Sequence, residues 1–366
     1  MNPRRIATML VMLMGFAGIG AADTPEPEAT WQDIIRATPY WVSQGVFSNI
    51  VTIRRWVLAE SGYCSDQDRH ILYGLRGKFL GYIEDGQSRA ETQQRLNDTR
   101  ARLASQDRVE AWTPGDEGMV GYPFALACDQ PHVNLNEALA RFLGTLPGER
   151  VWGTWDDLSL GSASEPLPLH DALMHIYSTR KQQQRLDLPP ELPRYLAGQL
   201  LIESGGQTRA HSAAGARGIM QLLPSVLTDC GVPERNHWHR MAQIDCALKL
   251  MHQNARNLRP EFQDRFGALP NDKRDRLFTL LLIQAYHGGL GRVRTLLADE
   301  TLSAPAQYFA EHQQRFSAGD IAFGLIFHNL GRDRFGLASL YYLADVELAT
   351  EAICNAPAMN EKALCQ

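Results

Sequence analysis

The stretch from Tyr195 to Pro224, YLAGQLLIESGGQTRAHSAAGARGIMQLLP, constrains the fold more than any other part of the chain. It opens as an apolar run in which Leu196, Leu200 and Leu201 recur at helix-face spacing. One carboxylate, Glu203, falls in the last turn of that run. Gly205 and Gly206 then end it, because residues without a Cβ readily enter the left-handed conformations that terminate helices. A loop of small residues, Ser212 to Gly218, leads to a second apolar run, Ile219 to Leu223, which Pro224 closes. A carboxyl at the mouth of an apolar helix, facing a Gly-rich loop, suits a general acid. Apolar surroundings penalise its charged form and raise its pKa toward the working range.

Three short motifs stand in order along this half of the chain: Glu203-Ser204-Gly205, then Gly218-Ile219-Met220-Gln221, then AYHGGLGRV from Ala285 to Val293. A fourth, FGLASLYY, runs from Phe335 to Tyr342. Over roughly residues 185–350 the pattern resembles the SLT-type lytic transglycosylases, helical enzymes of goose-lysozyme-like fold that cut peptidoglycan. The fourth motif is similar to the closing helix of the membrane-bound lytic transglycosylase D type. The resemblance implies a mainly α chain and a cofactor-free enzyme whose partner is the glycan strand of peptidoglycan.

The resemblance also implies roles. Glu203 would protonate the glycosidic oxygen between N-acetylmuramic acid and N-acetylglucosamine. It would then take the proton of the muramyl C6 hydroxyl as that oxygen attacks the anomeric carbon. The product is a 1,6-anhydromuramyl end, and no water is consumed. Tyr286 falls where the family's tyrosine hydrogen-bonds and orients the acid. Ser212, Gln221 and Leu223 fall at substrate-contacting positions, whereas Met220 reads as core. His287 and Gly288 replace the common Asn-Ala after the tyrosine, so His287 is expected to contact substrate in the asparagine's place. Most glycosidases use two carboxylates. None of the motifs brings a second one, but Asp229, Asp245 and a residue from the other domain stay open as partners. A hydrolytic muramidase on the same fold and a peptidoglycan-binding protein without turnover are the competing readings.

Elsewhere the sequence sets the organisation. Residues 1–22 read as an export signal, with Arg4 and Arg5 ahead of an apolar core, Met9 to Ile19, that is short for a membrane span. An uncleaved anchor is the alternative, and the expected location is the periplasm. Residues 23–30 form a Pro/Glu linker, and 31–146 a separate, mostly helical accessory module with helices at Ile50–Glu60, Glu91–Ala111 and Asn136–Leu146. Residues 147–168 form a boundary, 169–350 the lysozyme-like catalytic domain and 351–366 a tail. In the boundary, Trp152 and Trp155 read as packing anchors, with sugar stacking as the alternative. With 36 Lys and Arg against 41 Asp and Glu, the chain lacks the basic balance that nucleic acid demands. Six cysteines in an exported chain favour disulfides, and no cysteine or histidine spacing fits zinc. Pairing by proximity joins Cys230 to Cys246 and Cys354 to Cys365, leaving Cys64 for Cys128; buried free thiols are the alternative.

Overall fold

The computed structural model describes residues 45–59, 69–74, 79–108, 124–126, 133–146, 148–329 and 335–366. The expected export signal, the 23–30 linker and the Cys64–Cys128 pair lie outside them. The architecture is mainly helical, and its centre is a crossing of two buried helices. The first, α5 (Leu192–Ser204), follows α1 (Val46–Ala59), α2 (Arg89–Ser105), α3 (Leu135–Phe142) and α4 (Leu169–Gln182). In α5 every residue but Arg194 and Glu203 is buried, so the helix is apolar all round rather than amphipathic. Pro193 sits in its first turn, where a missing N–H costs nothing, and Gly205 ends it at φ 61°.

Four further helices, α6 (Pro224–Asp229), α7 (Arg240–Phe266), α8 (Asn271–Gly288) and α9 (Leu290–Ala298), continue the chain. They lead to α10 (Ala304–Glu311), α11 (Ala318–Phe327) and α12 (Leu337–Cys354). The apolar stretch Leu277 to Ala285 of α8 is buried throughout. Pro224 opens α6 rather than closing the apolar run before it, as its fixed φ suits the first helical position. The longest helix, α7, tolerates Pro260 in its interior. Disulfides Cys230–Cys246 and Cys354–Cys365 clip α6 to α7 and the tail to the end of α12.

The N-terminal region also contains strands that helix periodicity does not reveal. β1 (Arg69–Tyr73), β2 (Phe79–Glu84) and β3 (Phe124–Leu126) form an antiparallel sheet in the order β2-β1-β3. His70 is buried there against Asp85 at 2.6 Å, a structural histidine. A hairpin, β4 (Gly153–Trp155) with β5 (Leu158–Leu160), occupies the expected boundary. Trp155 is half-buried and donates from Nε1 to Asp245 Oδ2 at 3.2 Å, whereas Trp152 stands 54% exposed.

The core runs through that boundary without a gap. Phe47, Ile50 and Val51 of α1 belong to the same buried cluster as the α5, α8 and α12 side chains. Two polar contacts fasten α1 to the C-terminal half. Asp320, already the partner of Ser317 in the capping box of α11, accepts the Phe47 backbone N–H at 2.9 Å. Arg54 pairs bidentately with Asp345 of α12 at 2.6 and 2.8 Å, both side chains buried. Its guanidinium also lies over the Tyr341 ring, 4.9 Å from the centroid.

Candidate active site

Glu203 is the last-turn carboxylate of a helix that is otherwise apolar around it, and its side chain is half-buried. Burial pushes its pKa up from the ordinary 4.5 to about 7. One interaction opposes that push: the Tyr342 hydroxyl, on α12, donates to Glu203 Oε1 at 2.5 Å. Tyr342 itself is 4% exposed and accepts from Gln199 Nε2 of α5 at 2.8 Å. Burial and the nearby Glu203 charge both raise the Tyr342 pKa, so the phenol keeps its proton and remains a donor. Among the described residues nothing else hydrogen-bonds the Glu203 carboxyl. Oε1 is therefore the accepting oxygen, and among the described residues Oε2 has no hydrogen-bond partner.

Tyr286 takes a different partner from the one its position implies. Its hydroxyl donates to the Met220 carbonyl at 2.6 Å; burial raises its pKa well above the ordinary phenol range, and the nearby Glu203 charge adds to that. Tyr342 occupies the direct contact with Glu203 instead. The physical reason is where the helices cross: α12 packs along α5, while the end of α8 reaches the loop after Glu203. Gln199 and Tyr342 are thus members of the site that motif reading passed over. Tyr342 lay inside the fourth motif, and a buried glutamine one turn before the acid was the available signal.

The loop from Gly205 to Leu223 is held by its own polar groups. Ser204 Oγ donates to the Ile219 carbonyl at 2.8 Å and accepts from Gly206 N at 3.0 Å, tying the loop back to the end of α5. Ser212 Oγ accepts from Ala216 N at 3.0 Å, so its oxygen shapes the turn while its proton remains to be donated. Met220 is fully buried, and its N–H donates to Gln243 Oε1 at 3.0 Å. Gly218 has φ +74°, and an added Cβ would meet the Gln243 amide at 2.6 Å, so only glycine lets the loop lie on α7. Gln221, in the left-handed region at φ 48°, donates from Nε2 to the Gly218 carbonyl at 2.9 Å, which leaves its amide oxygen available. Leu223 is 43% exposed and presents an apolar surface beside it.

His287 is exposed, and its ring stacks on that of Tyr342 with centroids 4.0 Å apart and planes 17° from parallel. The structure therefore places His287 over the tyrosine that serves Glu203. Of the carboxylates left open by the sequence, Asp245 accepts from Arg180 at 2.7 and 3.1 Å, from Trp155 and from Lys249, which joins the hairpin to α7. Asp229 is exposed at the end of α6. Among the described residues no neighbouring carboxylate perturbs Glu203.

A comparison with known families covers the same segment. Residues 178–309 match the family model of the Transglycosylase SLT domain, a span that holds α5, the loop and the end of α8. Over those residues the chain carries a Transglycosylase SLT domain, the kind of domain that cleaves peptidoglycan. No curated protein matches the chain. Among the described residues, no helix is long and apolar enough to cross a membrane.

Proposed function

We propose that this protein is an exported murein lytic transglycosylase in which Glu203 is both acid and base. The observation that carries the reading is a single carboxyl, raised to about 7 by its apolar helix, with one oxygen accepting from Tyr342 and the other unengaged. A carboxyl of that pKa is substantially protonated at neutral pH and loses its proton readily to a leaving oxygen. After the glycosidic oxygen takes the proton, the Tyr342 hydroxyl stabilises the carboxylate left behind. The carboxylate then receives the proton of the muramyl C6 hydroxyl as that oxygen closes on the anomeric carbon. One group thus serves both half-reactions, and the pair of carboxylates that hydrolysis by inversion needs is not called for.

Gln221, Ser212 and Leu223 supply one hydrogen-bond acceptor, one donor and an apolar wall around the acetamido sugars. Tyr286 holds the Met220 carbonyl and so fixes the loop that carries them. The participation of Tyr342 from the fourth motif supports placing the domain near the membrane-bound D type. The signal-like residues 1–22 and the disulfides Cys230–Cys246 and Cys354–Cys365 support an oxidising compartment outside the cytoplasm, where peptidoglycan lies. Substitution Glu203→Gln tests the assignment, because an amide keeps the shape but has no proton to give. Its far-UV spectrum should match the wild type while fragment release from sacculi falls by several orders of magnitude; near-normal release would refute the assignment.

A further inference from the structure

We propose that His287 is a positioning residue, whose ring lies flat on the Tyr342 phenol and holds that phenol in the orientation from which its hydroxyl reaches Glu203. This rests on the reading of Glu203 as the acid. It differs from the role the family pattern implies for position 287, a hydrogen bond to substrate. The two roles make different physical demands: a stack needs a flat ring, whereas a substrate contact needs a polar edge.

Three observations support the stack. First, Tyr342 is 4% exposed although the ring laid on it, His287, is itself exposed, so the imidazole stands between the phenol and water. Second, the backbone that aims His287 is pinned on both sides. Tyr286, the residue before it, is anchored by its hydroxyl to the Met220 carbonyl at 2.6 Å. Gly289, two residues after, turns the chain at φ +93° with its N–H on the Ala285 carbonyl at 2.9 Å. Third, the hydrogen bonds of Tyr342, from Gln199 Nε2 at 2.8 Å and to Glu203 Oε1 at 2.5 Å, act at its oxygen alone and not on the face of its ring. The parallel His287 ring 4.0 Å away is the contact that bears on that face.

The test compares His287→Ala, His287→Asn and His287→Phe in the full mature chain. The Tyr342 hydroxyl proton, buried and donated at 2.5 Å, should give a slowly exchanging downfield proton resonance, assigned by its loss in Tyr342→Phe. Alanine and asparagine at 287 should abolish or broaden that signal. They should also lower kcat on soluble glycan strands by about tenfold to a hundredfold, the cost of a misplaced catalytic group, with little change in KM. Phenylalanine should restore the signal and recover most of the kcat that alanine loses. A signal that persists in His287→Ala would overturn the proposal. So would full activity in His287→Asn with loss in His287→Phe, the pattern of a substrate hydrogen bond. The resonance does not depend on turnover; absence of anhydromuramyl products from the wild type would fail the functional reading and leave this result standing.

Discussion

At the scale of single residues the chemistry reduces to how Glu203 keeps a proton near neutral pH. Its apolar helix raises the pKa to about 7 and the Tyr342 bond draws it back down, so the two can be separated. Activity that needs the protonated acid should fall as pH rises through about 7, read as the alkaline limb of kcat/KM. Tyr342→Phe removes the interaction that favours the charged form. That limb should then move to higher pH while kcat drops, and an unmoved limb would mean the bond does not act on the reacting state. The same shift is a statement about stability. The folded carboxyl binds its proton more tightly than the unfolded one, so stability is lost as pH rises from about 4.5 to about 7. Glu203→Gln lacks that loss. It should be more stable than the wild type at about pH 8, by about 1–3 kcal/mol, with the ionisation part of the gap vanishing below about pH 4.5 in denaturant titrations.

At the scale of elements the site depends on α12 lying close against α5. Gly198 permits that approach: a Cβ there would meet Thr350 Oγ1 at 2.2 Å and the Val346 carbonyl at 2.7 Å. Gly198→Ala should therefore force the helices apart. It should cost about 1–3 kcal/mol in denaturant melts, despite alanine's better helix propensity, and should reduce turnover by displacing Tyr342 from Glu203. Motif order and apolar spacing made α5, the glycine stop, the burial of α8 and the position of Glu203 legible in the sequence. They did not reveal which tyrosine meets the acid. That depends on a contact between residues 139 positions apart, which no local pattern encodes. The strands β1 and β2 were missed because RHILY and FLGYIE are short and lack a clean apolar–polar alternation, and the pairing of β1 with β3, Ile71 with Leu126, is a long-range choice too.

At the scale of the molecule the N-terminal helix α1 shares its core with the domain that holds the site. Arg54 and Asp345 are both buried, and Asp345 lies three residues after Tyr342 on α12. Arg54→Ala leaves that carboxylate without its partner and should destabilise by roughly 3–5 kcal/mol, read from the melting midpoint; adding Asp345→Asn should recover part of the loss. The disulfides act at the same scale. Closing segments of separation 16 and 11, they should each contribute about 3 kcal/mol, and an unchanged melting temperature in reductant would contradict that. The account as a whole is most directly tested by the ends the protein leaves on glycan. Purified sacculi digested in 18O-enriched water should yield anhydromuramyl fragments by mass spectrometry, with no label at the new ends and no release by Glu203→Gln. Reducing ends that carry the heavy oxygen would contradict the account and require a second group that activates water.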